Sequence, residues 1–143
     1  MELPPFAEAV ARICASDRRY APEAYLFLND GLARTLKLVQ EREKKYRQIT
    51  GAELSEGLRD FALEQFGPLA LTVLARWGVH STRDFGEMVF ILLAAGLLGK
   101  TEEDKIEDFD DVFDFDHAFR APFRPKPRPR APSVPKPTAN RAD

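Results

Sequence analysis

The sequence predicts an all-α protein, with a compact bundle of about five helices, an irregular acidic segment rich in phenylalanine, and a disordered tail. Apolar residues recur at steps of three and four through residues 6–98, the spacing of helices that bury one face. Several of these runs end at a glycine, where helices commonly stop: Gly67, Gly78 and Gly96. Seven of the eleven prolines lie within 122–137, and prolines so closely spaced exclude both helix and sheet.

The net charge of −2 conceals three regions of different charge. Residues 1–101 carry 13 basic and 13 acidic side chains, whereas the segment 102–119 carries nine acids against one base. Residues 120–143 carry seven bases against one acid. We therefore predict a helical domain at 1–119, whose last part is the acidic segment, and a flexible basic tail at 120–143.

Two helices are predicted before residue 50. Pro4 and Pro5 open the first, because proline in a first turn lacks only a donor that the helix leaves unused. Pro22 opens a longer second helix, which ends in the charged stretch 41–47. Steps of three and four residues predict its buried face: Tyr25, Leu28, Leu32, Leu36 and Val39.

Thr50 and Glu53 predict the start of a third helix, ending at Gly67. A hydroxyl and a carboxylate at this spacing each accept a backbone N–H that the helix leaves unpaired, which forms a capping box. The fourth helix, at 68–77, is apolar on nearly every side. That pattern predicts a central helix surrounded by the others.

Ser81 and Asp84 form a second predicted capping pair, at the start of a fifth helix that ends at Gly96. Thr101 with Asp104 predicts one further helical turn. Beyond it, phenylalanines are interleaved with carboxylates and keep the period of neither a helix nor a strand. We predict that these phenylalanines pack on the bundle while the carboxylates face water.

No pattern in the chain indicates catalysis, and we predict no enzyme, no catalytic residue and no cofactor. Neither G-x-x-x-x-G-K nor G-x-G-x-x-G is present to bind phosphate. Cys14 lies at the edge of an apolar stripe, where a thiol acts as a small hydrophobe, and His80 lies in a turn. A metal could find ligands in the acidic segment at Asp110, Asp114, Asp116 and His117. That segment lacks the glycine and the closing glutamate of a calcium loop, so we predict solvated carboxylates and no metal site.

Membrane and DNA partners are also excluded. No stretch reaches the ~18 uncharged apolar residues of a membrane span, and the chain begins without a signal-peptide pattern. A single cysteine is typical of a reducing compartment, so we expect a cytoplasmic protein. Residues 68–96 could be interpreted as a helix-turn-helix, but the recognition helix would offer DNA only Arg83 beside an acidic segment. We therefore expect no sequence-specific DNA binding.

The basic tail is the feature that indicates a partner. Cations on an extended chain neutralise phosphates, which predicts contact with RNA or a ribonucleoprotein surface such as the ribosome. The candidate nucleic-acid-binding residues are Arg120, Arg124, Lys126, Arg128 and Arg130. In a second interpretation the protein is a protein–protein adaptor or regulator and the tail only aids solubility. A proline-rich ligand for an aromatic groove stays open as well.

Six short motifs resemble those of an uncharacterised family of small bacterial cytosolic proteins of similar length, whose function is unknown. They are Asp17-x-Arg-Tyr20, Ala24-Tyr25-x-Phe27, Glu53-Leu-x-x-Gly57, Gln65-Phe66-Gly67-x-x-Ala70, Val73-Leu74-x-x-Trp77-Gly78 and Asp84-Phe85-Gly86-Glu87-x-Val89-Phe90. The resemblance covers residues 6 to 119 and leaves the tail outside. It implies a bacterial, cytosolic, single-domain protein and no particular activity.

Overall fold

A computed structural model describes residues 5–45, 47–98 and 105–123. Within these ranges the chain contains helices and no strand, which confirms the predicted all-α class. The α-helices are α1 (Pro5–Ser16), α2 (Pro22–Glu43), α3 (Gly51–Phe66), α4 (Ala70–Arg76), α5 (Thr82–Ala94) and α6 (Phe115–Arg120). Short 3₁₀ turns lie at Gly67–Leu69, Ile106–Phe109 and Ala121–Phe123.

All six helices contribute to one hydrophobic core. Each supplies at least one side chain that is no more than 1% exposed: Val10, Leu28, Leu58, Leu74, Phe85 and Phe119. Burial of a side chain of this size stabilises a fold by about 1.5–3 kcal/mol relative to leaving it in water. Because α6 takes part, the described part of the acidic segment, 105–119, belongs to the folded body.

Helix α2 buries a somewhat different face from the one predicted. Leu36 is 37% exposed, so its assignment to the buried face was wrong, whereas Thr35 is 6% exposed. The reason is the close approach of α3, since a Cβ added to Gly57 would overlap the side chain of Thr35, and one added to Gly31 would overlap Leu58. The Thr35 hydroxyl donates to the carbonyl of Gly31 at 2.7 Å and so needs no other partner.

The two predicted capping pairs had different outcomes. Thr50 and Glu53 form the expected capping box, with N–H to oxygen distances of 3.0 and 2.9 Å. The pair of Ser81 and Asp84 was wrong, because Ser81 makes no side-chain cap. Asp84 instead accepts the backbone N–H of His80 at 2.8 Å and a hydroxyl from a distant part of the chain.

The central position predicted for the fourth helix was also wrong. Only Ala70 and Leu74 of α4 are buried, and Leu69 in the preceding turn is 62% exposed. Helix α4 has seven residues and contacts α3 and α6. Such a short helix contacts its neighbours along only part of its surface, so some of its apolar side chains stay exposed.

The acidic segment packs as predicted but is more regular than expected. Phe109, Phe115 and Phe119 are at most 5% exposed, and part of the segment is the helix α6. A Cβ at Gly86 would lie 2.8 Å from Phe109, so the absence of a side chain there leaves room for the ring. The Thr82 hydroxyl donates to the Phe109 carbonyl at 2.5 Å. The turn predicted at residues 101–104 lies outside the described residues.

Candidate functional site

An open groove of about 550 Å³ lies between the start of α5 and the start of α6. It brings together Leu71 of α4, residues 80–82 and residues 111–116, the last two some thirty residues apart in the chain. Its lining combines apolar side chains with carboxylates: Leu71, His80, Ser81, Thr82, Asp111, Phe113, Asp114, Phe115 and Asp116. We call this feature the acidic groove.

Aromatic packing holds the acidic side of this groove in place. The ring of Phe115 lies 5.5 Å from that of Phe85 and 5.1 Å from that of Phe119, and Phe113 stacks on Phe115 at 5.7 Å. Buried rings therefore anchor a loop whose intervening aspartates are exposed. Asp111 has φ of 49°, a left-handed conformation that aspartate tolerates better than most residues.

Part of the negative charge of the groove has no cation partner among the described residues. Asp114 caps α6 by accepting the N–H of His117 at 2.8 Å. Neither Asp114 nor Asp111 forms an ion pair with a cation among the described residues. Asp116 pairs with Arg120 at 2.6 Å. This negative charge attracts positively charged groups and repels phosphate.

The candidate metal ligands of the acidic segment do not converge on one point within the described residues. No group of three His, Cys, Asp or Glu side chains within these ranges is placed to share a metal ion. Three of the four hypothetical ligands have other partners: Asp110 pairs with Arg83 at 3.0 Å, Asp114 caps α6, and Asp116 pairs with Arg120. His80 and His117 are both exposed.

A polar cluster joins the α1–α2 connection to the start of α5. The Tyr20 hydroxyl donates to Asp84 at 2.6 Å, and Arg19 pairs with Asp17 at 2.9 Å and with Glu87 at 3.7 Å. Burial, with the hydrogen bond to the carboxylate, raises the pKa of Tyr20. Tyr20 is 4% exposed, so the cluster is closed to a ligand at its centre. These residues come from two of the six motifs, and their contact ties distant segments together.

Cys14 and Tyr25 lie next to this cluster. The Cys14 sulfur is 3.6 Å from the Tyr20 carbonyl, and burial, with Asp17 and Glu23 nearby, raises the pKa of the thiol. A thiol that stays protonated at neutral pH is a poor nucleophile. Burial also raises the pKa of Tyr25 to about 12, and its hydroxyl has no hydrogen-bond partner in the described part of the chain.

A second groove, of about 270 Å³, runs between α2 and α3. Its rim carries both signs of charge beside an exposed leucine: Arg34, Leu38, Arg42, Glu56, Arg59 and Asp60. The arginines on this rim are paired with carboxylates, namely Glu64, Glu43 and Asp60 respectively. This groove therefore has little net charge to attract phosphate.

Of the five candidate RNA-binding residues, the structure describes Arg120 alone. It is the last residue of α6, is exposed, and forms the ion pair with Asp116. Arg124, Lys126, Arg128 and Arg130 lie outside the described residues. Sequence reasoning missed the acidic groove, because no local signal connects Leu71 and residues 80–82 with residues 111–116.

Comparison of the chain with protein-family models, with curated proteins and with solved structures gave no match. The resemblance to a bacterial family stays a prediction. Each helix in the described ranges is too short or too polar to cross a lipid bilayer.

Proposed function

We propose that this protein is a non-enzymatic binding protein of the cytoplasm, and that its basic tail contacts RNA or a ribonucleoprotein surface such as the ribosome. The distribution of cations between body and tail supports the proposal. Beyond Phe123 the chain carries six further bases against one acid. Such a run of charge binds phosphates by releasing their counterions.

The arginines of the body are mostly occupied by carboxylates. Of the ten arginines in the described ranges, only Arg18 and Arg76 form no ion pair with a described carboxylate. The other eight are paired: Arg12, Arg19, Arg34, Arg42, Arg47, Arg59, Arg83 and Arg120. An arginine that already has a carboxylate partner gains less from a phosphate. The acidic groove repels phosphate outright. We infer that RNA contact is concentrated at the basic residues after Arg120, because Arg120 itself is paired with Asp116.

A salt titration of the full chain tests this proposal. The probe is a fluorescein-labelled oligouridine, and the variant replaces Arg124, Lys126, Arg128 and Arg130 by glutamine. Four cations on single-stranded RNA contribute a slope of about −3 in log K against log salt, so the variant should lose most of the slope. The matched control replaces Pro125, Pro127 and Pro129 by alanine, which retains the charges.

The control should keep the wild-type slope, because the contact is electrostatic and does not depend on the proline rings. Equal slopes for the glutamine variant and the wild type would refute tail-mediated RNA binding. So would an oligouridine affinity that does not respond to salt at all.

The second candidate function, a protein–protein adaptor, is favoured by the groove between α2 and α3. Leu38 is 45% exposed there and is surrounded by charges of both signs, and an apolar centre with a polar rim is the anatomy of a protein interface. In this case Leu38→Asp should abolish capture of a partner protein and leave oligouridine binding intact. The glutamine tail variant should keep that partner.

A further inference from the structure

We propose that the acidic groove is the docking site of the chain's own basic stretch 124–130, and that RNA competes with the groove for these cations. The competition between RNA and the groove rests on the proposed RNA function, whereas the docking of the segment is argued from the groove alone. In this arrangement one segment has two alternative partners. The body then regulates how much of the tail is free to bind.

The shape of the groove suits an extended segment of proline and arginine. Leu71 and Phe113 supply partly exposed apolar surface, and the buried ring of Phe115 lies behind them. Proline-rich segments bind grooves lined with aromatic side chains, and arginine lays its aliphatic stem on apolar surface while its charge stays in water. Both residue types alternate through 124–130.

The charges of groove and segment are complementary. Asp111 and Asp114 are exposed and form no ion pair with a cation in the described ranges. The stretch 124–130 carries four cations and no acid. It begins four residues beyond Arg120, which already pairs with a carboxylate of the groove at 2.6 Å. Docking would therefore continue a charge pairing that α6 starts.

The distance is within reach of the segment. The groove lies at the start of α6, and a six-residue helix is about 9 Å long. The 3₁₀ turn Ala121–Phe123, at about 2 Å per residue, adds about 6 Å. A chain that turns back after Phe123 must therefore cover about 15 Å to reach the groove. Seven residues at about 3.1 Å each span about 22 Å, so the return uses about five of them and brings the end of the stretch, at residues 128–130, to the groove.

The contact should lower the apparent affinity for RNA. If the tail occupies the groove for nine-tenths of the time, RNA finds one-tenth of the molecules competent and binds about tenfold more weakly. Removing the carboxylates of the groove should therefore strengthen RNA binding. This effect is opposite to the loss expected when the tail itself is neutralised.

The test uses the full chain with a spin label on Ala131→Cys, in a Cys14→Ser background, and measures paramagnetic broadening of backbone amides. We expect broadening at residues 111–116 in low salt and its loss at about 0.5 M salt, where the Debye length is only a few ångströms. The variant Asp111→Asn with Asp114→Asn should lose it too. Asparagine tolerates the left-handed backbone at the first position and caps a helix at the second.

The matched control removes the same charge elsewhere. Asp30→Asn with Glu41→Gln neutralises two exposed carboxylates of α2 and should leave the broadening unchanged. On the oligouridine probe, the groove variant should bind about three- to tenfold more tightly than this control. Equal broadening in the groove variant and the control would overturn the docking, as would no broadening at residues 111–116.

The two proposals fail in distinguishable ways. Broadening without oligouridine binding means that the tail docks and that the proposed RNA function is wrong. Salt-dependent oligouridine binding without broadening means that the RNA function stands and the docking is wrong. If both occur but the groove variant and the α2 control bind RNA equally, the competition is refuted.

Discussion

Two of the contacts that depend on a missing side chain hold different elements together, although each joins residues just over twenty positions apart in the chain. Between α2 and α3, Gly57 makes room for Thr35, and the two helices are neighbours in sequence. Between α5 and the acidic segment, Gly86 makes room for Phe109, which lies 23 residues further along. The first contact builds the body, and the second brings the acidic segment onto it.

The charges around the two contacts differ as well. At the α2–α3 end, Arg47 pairs with both Glu43 and Glu53 at 2.7 Å, and Arg42 pairs with Glu43 at 3.3 Å, so two arginines balance two glutamates. On the acidic segment, Asp111 and Asp114 are exposed without a cation partner in the described ranges. The comparison teaches that the charges at the α2–α3 end offset one another, while the acidic segment keeps two aspartates that no described cation offsets.

The largest expected effect follows from removing the ring that anchors the acidic segment. Phe109 is 2% exposed, and Phe109→Ala should lower the free energy of unfolding by about 3–5 kcal/mol, measured by urea denaturation. Phe123→Ala is the control, because that ring is 45% exposed and its loss should cost less than about 0.5 kcal/mol. Similar losses for both variants would contradict the anchoring role of Phe109.

A smaller effect is expected at the contact between α2 and α3. Gly57→Ala places a Cβ against the Thr35 side chain and should cost about 1–3 kcal/mol of unfolding free energy through overpacking. Combining it with Thr35→Ala should recover part of that loss, because the smaller residue restores the space. A double-mutant cycle measures the coupling, and strictly additive losses would show that the two helices do not meet as described.

The smallest effect concerns the balanced charges of the body. Arg47, together with the backbone N–H of Thr50, lowers the pKa of Glu53 to about 2. The ionised Glu53 side chain therefore contributes its full stability above about pH 4.3, the pKa of glutamate in the unfolded chain. That contribution is lost as the pH falls towards 2. Glu53→Gln should cost about 1 kcal/mol at neutral pH, since it removes the charge that pairs with Arg47, although glutamine can still accept the Thr50 N–H.

Unfolding curves of this variant between pH 2 and pH 5 should show a weaker pH dependence than the wild type. Glu56→Gln, which removes an exposed glutamate of the same helix, is the control and should keep the wild-type dependence. An unchanged pH dependence in Glu53→Gln would show that the contact with Arg47 contributes no stability.

Local signals predicted much of the fold. The prolines before α1 and α2 and the capping box at Thr50 indicated where helices begin. Gly67, Gly78 and Gly96 all have positive φ values, as expected of glycines that end helices. Each of these signals acts within a few residues, so the sequence around it suffices to predict the outcome.

Predictions for residues whose contacts lie far away along the chain were less accurate. Asp84 looked like a helix cap, but the Tyr20 hydroxyl, 64 residues away, binds its carboxylate at 2.6 Å. Leu36 fitted the apolar stripe of α2, but the close approach of α3 at Gly57 left it 37% exposed. In both cases a tertiary contact outweighed a local pattern.

By itself, the sequence determined that this chain forms helices, where most of them begin and end, and that a neutral body precedes an acidic segment and a basic tail. Only the tertiary structure decided which faces meet, that Phe109 inserts beside Gly86, and that residues 80–82 and 111–116 share one groove. Helix boundaries and charge depend on neighbours along the chain. A groove depends on neighbours in space, which no local pattern specifies.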